Sequence, residues 1–222
     1  MSQGNDTFDE RLKRALPAPA PDVSKLAEAA RAELAAAPAV RPWWRDALLL
    51  LGVNALTAAG ALAALKPADS PGEPMVRFGV AAVLFVVLTL GALVAIRPGS
   101  KSLRGILVAG VVVAAIAAVF GGDGVESTKP FARGIGCAVT ECLLSIPTLG
   151  VAMLVLSRFA ASPMRTLTAG AASAAAGVLV LHLHCPIGTV DHLAVFHVLP
   201  WLALVGLVLL VRRWVPTKSF AP

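Results

Sequence analysis

The chain has 222 residues, of which 57% are hydrophobic and only 14% are charged. Soluble domains carry about 25% charged and about 45–50% apolar residues, so this composition excludes an ordinary soluble globular protein. The net charge of +6 does not indicate nucleic-acid binding, because the basic residues flank apolar segments, and we expect no direct contact with nucleic acid. The composition predicts an all-α, polytopic membrane helical bundle.

Residues 1–45 form a polar, proline- and alanine-rich tail ahead of the first long apolar run. Thr7 and Glu10 make a capping-box pattern, which predicts a short helix over residues 7–16. Prolines then favour an extended linker, and a second helix is predicted over residues 23–37. The apolar positions that recur at helical spacing on these two helices include Phe8, Leu12, Leu16, Leu26 and Leu34.

Neither tail helix can build a hydrophobic core alone. Each has one apolar stripe with charges of both signs opposite, which suits docking into the groove of a partner protein. A helix lying on membrane lipid and a disordered tail are the two alternatives. The nearly balanced charge of the tail disfavours a basic membrane-surface helix.

Six later segments are apolar and long enough to cross a hydrocarbon core, which takes about 20 residues. They cover residues 46–65, 76–96, 103–121, 134–156, 166–184 and 193–212. The loops between them are short and contain proline or glycine, which end helices. We therefore predict a six-helix transmembrane domain over residues 46–212 and a short C-terminal tail over residues 213–222.

Lysine and arginine predict the orientation of these spans. One side of the membrane carries ten basic residues and the other carries four, which are mixed with acids. The positive-inside rule then predicts that both termini lie in the cytoplasm. We expect the membrane to be a bacterial inner membrane. Trp43, Trp44 and Trp214 fall at the cytoplasmic ends of the first and last spans, where interfacial belts hold tryptophan.

Every cysteine and histidine of the chain lies late in the sequence. The predicted topology places them all near the outer ends of the last three spans, together with an acid inside the fourth span. Thiolate, imidazole and carboxylate groups suit zinc or copper, and an intramembrane acid is a functional-site hypothesis by default. The predicted metal-ligating residues are Cys137, Glu141, Cys142, His182, His184, Cys185, His192 and His197.

Three interpretations of this set stay open on sequence grounds. The first is a bound metal ion, favoured by the helical spacing of Cys137 with Glu141 and of His182 with Cys185. The second is an oxidant-reactive thiol site, because the outer compartment of a bacterium is oxidising. The third is ordinary packing and capping. No C-x-x-C or H-E-x-x-H motif specifies one metal, and haem held by two histidines, such as His182 and His197, is a further alternative.

The second half of the chain resembles the NrsF-type membrane anti-sigma factors. The likeness rests on a cysteine followed by an S-I-P step in the fourth span, Cys142 with residues 145–147, and on the run L-H-C-P at residues 183–186. These proteins have six spans and a short cytoplasmic N-terminal tail. The additional His192 and His197 resemble myxobacterial relatives of the CarR type.

The resemblance implies a non-enzymatic regulator. Its tail would hold an extracytoplasmic-function (ECF) sigma factor of RNA polymerase at the membrane, and a metal ion or an oxidant such as singlet oxygen would release it. The alternative is a small metal-binding or redox membrane protein of the cell envelope.

Overall fold

The computed structural model describes residues 23–36, 42–65, 74–122 and 130–217. Within these ranges the chain is helical, without β-strands, and falls into two units: helix α1, and the residues from Pro42 to Thr217. The helices are α1 (Val23–Ala36), α2 (Trp43–Leu65), α3 (Pro74–Ile96), α4 (Lys101–Phe120), α5 (Pro130–Leu156), α6 (Pro163–His184) and α7 (Val190–Arg212).

The all-α prediction is confirmed, and helices α2 to α7 are each apolar and long enough to cross a membrane. They make the chain a multi-pass membrane protein by length and composition. Most begin two or three residues before the predicted segments, and Pro163, whose fixed φ suits the first position of a helix, begins α6. In the tail, α1 matches the predicted second helix, whereas Phe8, Leu12 and Leu16 and the side chain of Leu34 lie outside the described part of the chain.

Helix α6 is the buried centre of the bundle. Every residue from Thr168 to His182 is buried, although this helix is rich in alanine and glycine. Lipid tails are as apolar as leucine, so membrane helices associate by close packing and hydrogen bonding, and small residues let their backbones approach. The composition of α6 therefore explains why α2, α3, α4, α5 and α7 all pack against it.

Side chains from three helices donate hydrogen bonds to four consecutive carbonyl groups of α6. We call residues 171–174 the carbonyl belt. The donors come from α2, α5 and α7, and each uses the carbonyl lone pair that the helix's own hydrogen bonds leave free. The bonds are Trp201 Nε1 to Ala171 (3.1 Å), Asn54 Nδ2 to Ala172 (3.5 Å), Thr148 Oγ1 to Ser173 (2.9 Å) and Ser145 Oγ to Ala174 (3.4 Å).

Arginines mark one end of the bundle, which we call the basic end. Arg104, Arg165 and Arg212 donate to carbonyl groups in the last turns of α3 and α5, which lack partners within their own helix. Arg158 also forms an ion pair with Asp46, which is buried at the start of α2. These contacts join the starts of α2, α4 and α6 to the ends of α3, α5 and α7.

Candidate metal centre

Four side chains converge at the end of the bundle opposite the basic end. Their ligand atoms all lie within 4.8 Å of one another, and three of the four residues are buried. One comes from the third turn of α5, one directly follows α6 and two come from α7. These residues, which we call the thiol–imidazole cluster, are Cys137, Cys185, His192 and His197.

Two distances within the cluster are close to those of a tetrahedral metal site. The Sγ atoms of Cys137 and Cys185 are 3.6 Å apart, and Nε2 of His192 lies 3.3 Å from the Cys185 sulfur. A zinc ion with Zn–S bonds of about 2.3 Å places two thiolate sulfurs about 3.7 Å apart at the tetrahedral angle. The separation of the two sulfurs is therefore compatible with a zinc ion bound to both.

A π-helical turn within α7 brings the two histidines together. His192 and His197 are five residues apart, which in an α-helix would place them about 140° apart around the axis. Residues Ala194–Val198 form a π-helical turn, closed by a bond from the Leu199 N–H to the Ala194 carbonyl, so five residues make about one turn. As a result the two imidazole rings lie 5.3 Å apart, centroid to centroid.

Cys185 is placed by the end of α6. Pro186 disfavours the α conformation at the preceding residue, and Cys185 accordingly adopts an extended backbone with φ −71° and ψ 126°. Arg77 Nη2 donates to the Cys185 carbonyl oxygen at 2.7 Å, which fixes this turn against α3. Hydrogen bonding with the Cys137 thiol holds the pKa of the Cys185 thiol below its usual range, which favours the thiolate that metals bind.

His197 and His192 have unsatisfied ring atoms. Both ring nitrogens of His197, and Nδ1 of His192, lack a hydrogen-bond partner among the residues described, although each histidine is only 1% exposed. An unsatisfied buried polar group costs about 1–3 kcal/mol. Phe196 packs on His192, with ring centroids 5.3 Å apart, and excludes solvent from that side.

The other four predicted ligands lie around the cluster without joining it. Glu141 is fully buried one helical turn from Cys137, and both carboxylate oxygens lack a hydrogen-bond partner within the described ranges. Cys142 is partly exposed on the same helix. His182 and His184 line two different cavities beside Cys185, and the one at His184 has a volume of about 220 Å³.

Sequence reasoning missed three contributors to the cluster: the π-helical turn, Arg77 and the cover provided by Phe196. The spacing of His192 and His197, together with Pro200, was a usable signal for the first of these. Proline lacks the N–H that an α-helix would bond to the Phe196 carbonyl, so the regular hydrogen-bond ladder is interrupted next to His197. Arg77 and Phe196 carry no comparable local signal.

The chain is similar to the carotenogenesis protein CarR of Myxococcus xanthus. The two are 28% identical over 203 residues, which cover 90% of this chain and 90% of CarR. No protein-family model matches the chain, and no solved structure matches it. The comparison supports the prediction, made from His192 and His197, that the chain is a CarR-like relative. The NrsF-type assignment stays a prediction.

Proposed function

We propose that the chain is a membrane anti-sigma factor that holds an ECF-type sigma factor of RNA polymerase at the bacterial inner membrane. The observation that carries this proposal is the likeness to CarR, which extends over 90% of both chains. An alignment of 203 residues is longer than the stretch from Trp43 to Arg212, so it includes part of the segments outside the membrane bundle. The resemblance of residues 142–147 and 183–186 to anti-sigma factors supports the same function.

Helix α1 supports a partner-binding role for the tail over residues 1–45. The side chains described in α1 are all exposed, and Leu26 is 56% exposed. A helix of 14 residues is marginal alone in water, so a partner that covers its apolar stripe would stabilise it. Leu26 and Leu34 would be the anchors on this helix, and Phe8, Leu12 and Leu16 those of the preceding segment.

The distribution of arginine supports the proposed orientation. The basic end carries Arg104, Arg158, Arg165 and Arg212, and the positive-inside rule assigns this end to the cytoplasm. Both termini would then be cytoplasmic, and the thiol–imidazole cluster would lie near the outer surface. Residues 46–212 would carry the signal between the two sides, and residues 213–222 would be a cytoplasmic tail.

The signal would act on the cluster and its neighbours, including Glu141, Cys142, His182 and His184. A ligand shifts an equilibrium only by its difference in affinity for the two states. The cluster must therefore be built differently when the sigma factor is bound and when it is released. Because the chain acts by binding and release in this scheme, we propose no enzymatic activity for it.

Capture of a sigma factor by the full-length protein tests the proposal. Each ECF-type sigma factor of the host is co-expressed in turn with the chain, and complexes are isolated from detergent-solubilised membranes. Leu26→Glu should reduce capture at least tenfold, because it places a charge in the apolar stripe. Ala32→Glu is the matched control, since Ala32 is exposed on the opposite face of the same helix and both changes retain a good helix former.

Two results would overturn the proposal: capture of no sigma factor by the unchanged chain, or equal loss in both variants. The first result would favour the second candidate function, a small metal-binding or redox membrane protein of the cell envelope. The thiol–imidazole cluster is the observation that favours this candidate.

A further inference from the structure

We propose that the chain holds one zinc ion as a resident structural ion in the thiol–imidazole cluster. The ligands would be both sulfurs and one nitrogen of each imidazole ring. The proposal rests on the geometry of the cluster and does not depend on sigma-factor binding. It selects four ligands from the eight that the sequence offers, and it gives the ion a structural role.

The donor set favours zinc over Cu(II). Two sulfurs and two nitrogens in a tetrahedral arrangement are typical of zinc, whereas Cu(II) prefers tetragonal sites with nitrogen and oxygen donors. The sulfur–sulfur distance of 3.6 Å is close to the tetrahedral value for zinc. Four protein ligands fill the coordination sphere and leave no position for a substrate, which is the arrangement of structural zinc sites.

The zinc ion would also satisfy the buried ring atoms of α7. Both nitrogens of His197 lack a hydrogen-bond partner in the described part of the chain, and the residue is buried. A metal bond to one of them supplies the missing interaction. His192 already directs Nε2 towards the Cys185 sulfur, so the ion needs no rotation of that ring.

The site would clamp three helices together. Cys137 belongs to α5, Cys185 directly follows α6, and the two histidines belong to α7 on either side of the π-helical turn. Among these, Cys185 is also fixed to α3 through its carbonyl bond with Arg77. Because metal binding to a folded site stabilises the folded state, removing zinc should loosen the outer end of the bundle.

Metal analysis of the purified full-length protein tests this proposal. The protein is purified under reducing conditions, incubated with zinc, freed of unbound metal and analysed by mass spectrometry. We expect one zinc per chain in the unchanged protein and close to none in Cys185→Ser and His197→Asn. Cys142→Ser and His184→Asn are the matched controls and should retain one zinc, because neither residue belongs to the cluster.

Cobalt provides a second measurement that needs no variant. Co²⁺ replacing zinc in the unchanged protein should give the intense visible bands and the thiolate charge-transfer absorption of a four-coordinate site with sulfur ligands. The proposal is wrong if the reduced, folded protein binds neither metal, or if the control variants lose zinc as fully as the ligand variants. Isolation of a stable Cys137–Cys185 disulfide that yields no zinc-binding protein on reduction would also overturn it.

Discussion

The imidazole rings of His192 and His197 lie 5.3 Å apart, although five residues separate them in one membrane helix. The π-helical turn produces this proximity by inserting one residue into an otherwise α-helical ladder. The turn is therefore part of the site and can be altered without changing any proposed ligand.

Deletion of Val195, an exposed residue of the π-helical turn, tests this relationship. The deletion leaves His192 and His197 four positions apart, a spacing that shares one face of a regular α-helix. We expect the variant to stay folded. Metal analysis should give a zinc content per chain within about twofold of that of the unchanged protein. Deletion of the similarly exposed Leu202 is the control, because it rotates the rest of α7 by about 100° and moves Val205 off the core.

If the protein without Val195 is folded but binds no zinc, then sharing a helix face does not explain the site. The π-helical turn would then be needed for another reason. If the protein without Leu202 folds as well as the unchanged chain, Val205 does not hold α7 in place against the core.

Gly177→Ala should destabilise the bundle by about 1–3 kcal/mol, because α5 and α6 are in contact at this position. A Cβ atom at residue 177 would lie 2.7 Å from Oγ of Ser145 and 3.0 Å from the carbonyl oxygen of Glu141. Gly150→Ala is the control, since a Cβ there meets nothing within 4 Å among the residues described. The stability of both variants is measured by unfolding in mixed micelles that contain an increasing fraction of a denaturing detergent. Equal stability of the two variants would contradict the close packing of α5 on α6.

Thr148→Val should cost about 0.6 kcal/mol and at most about 1.7 kcal/mol, the mean and the maximum found for hydrogen bonds between membrane helices. The substitution keeps the shape of the side chain and removes the hydroxyl, whose one proton is shared between the Ser173 carbonyl of the belt and the Ser145 carbonyl of its own helix. Thr89→Val provides the comparison, because the buried Oγ1 of Thr89 has no hydrogen-bond partner within the described ranges. We expect that change to be neutral or stabilising in the same unfolding assay. The belt would have no role in stability if Thr148→Val were equally neutral.

The proposed orientation of the bundle predicts the behaviour of two reporter fusions. Alkaline phosphatase, which is active only outside the cytoplasm, should be active when fused after Gly188 and inactive when fused after Val215. Green fluorescent protein at the same two positions should give the reverse pattern. The first junction follows five spans and lies beside the cluster, and the second follows six. The opposite pattern would place the thiol–imidazole cluster on the cytoplasmic side.

The six spans were predictable from the sequence because hydrocarbon thickness sets a length that the apolar segments display directly. The central position of α6 was not predictable in the same way. Burial in a membrane bundle follows close approach, so the alanine-rich segment is enclosed while more apolar helices face lipid. Polar residues such as Thr148 and Asn54 were visible, but their shared target on α6 depends on how three helices pack.

The candidate site was predictable as a region and not as a geometry. The predicted topology placed eight residues near one end of the bundle. The boundaries of the apolar spans are sufficient for this, because they give the depth of each residue in the membrane. The choice of Cys137, Cys185, His192 and His197 depends on local backbone features, namely the proline-terminated end of α6 and the π-helical turn of α7. Neither feature is visible in hydropathy, which reports depth and not rotation about a helix axis.

The carbonyl belt has a consequence for how α6 can move. The donors on α2, α5 and α7 each bond to one particular carbonyl group of the belt. A shift of α6 by one residue moves it about 1.5 Å and rotates it about 100°. Each donor would then face a different part of the helix from the carbonyl group that it bonds. Intermediate positions would leave buried donors without acceptors, so α6 has discrete resting positions separated by barriers. Since α6 leads from Arg165 at the basic end to Cys185 at the cluster, a displacement passed along it in the proposed function would be stepwise.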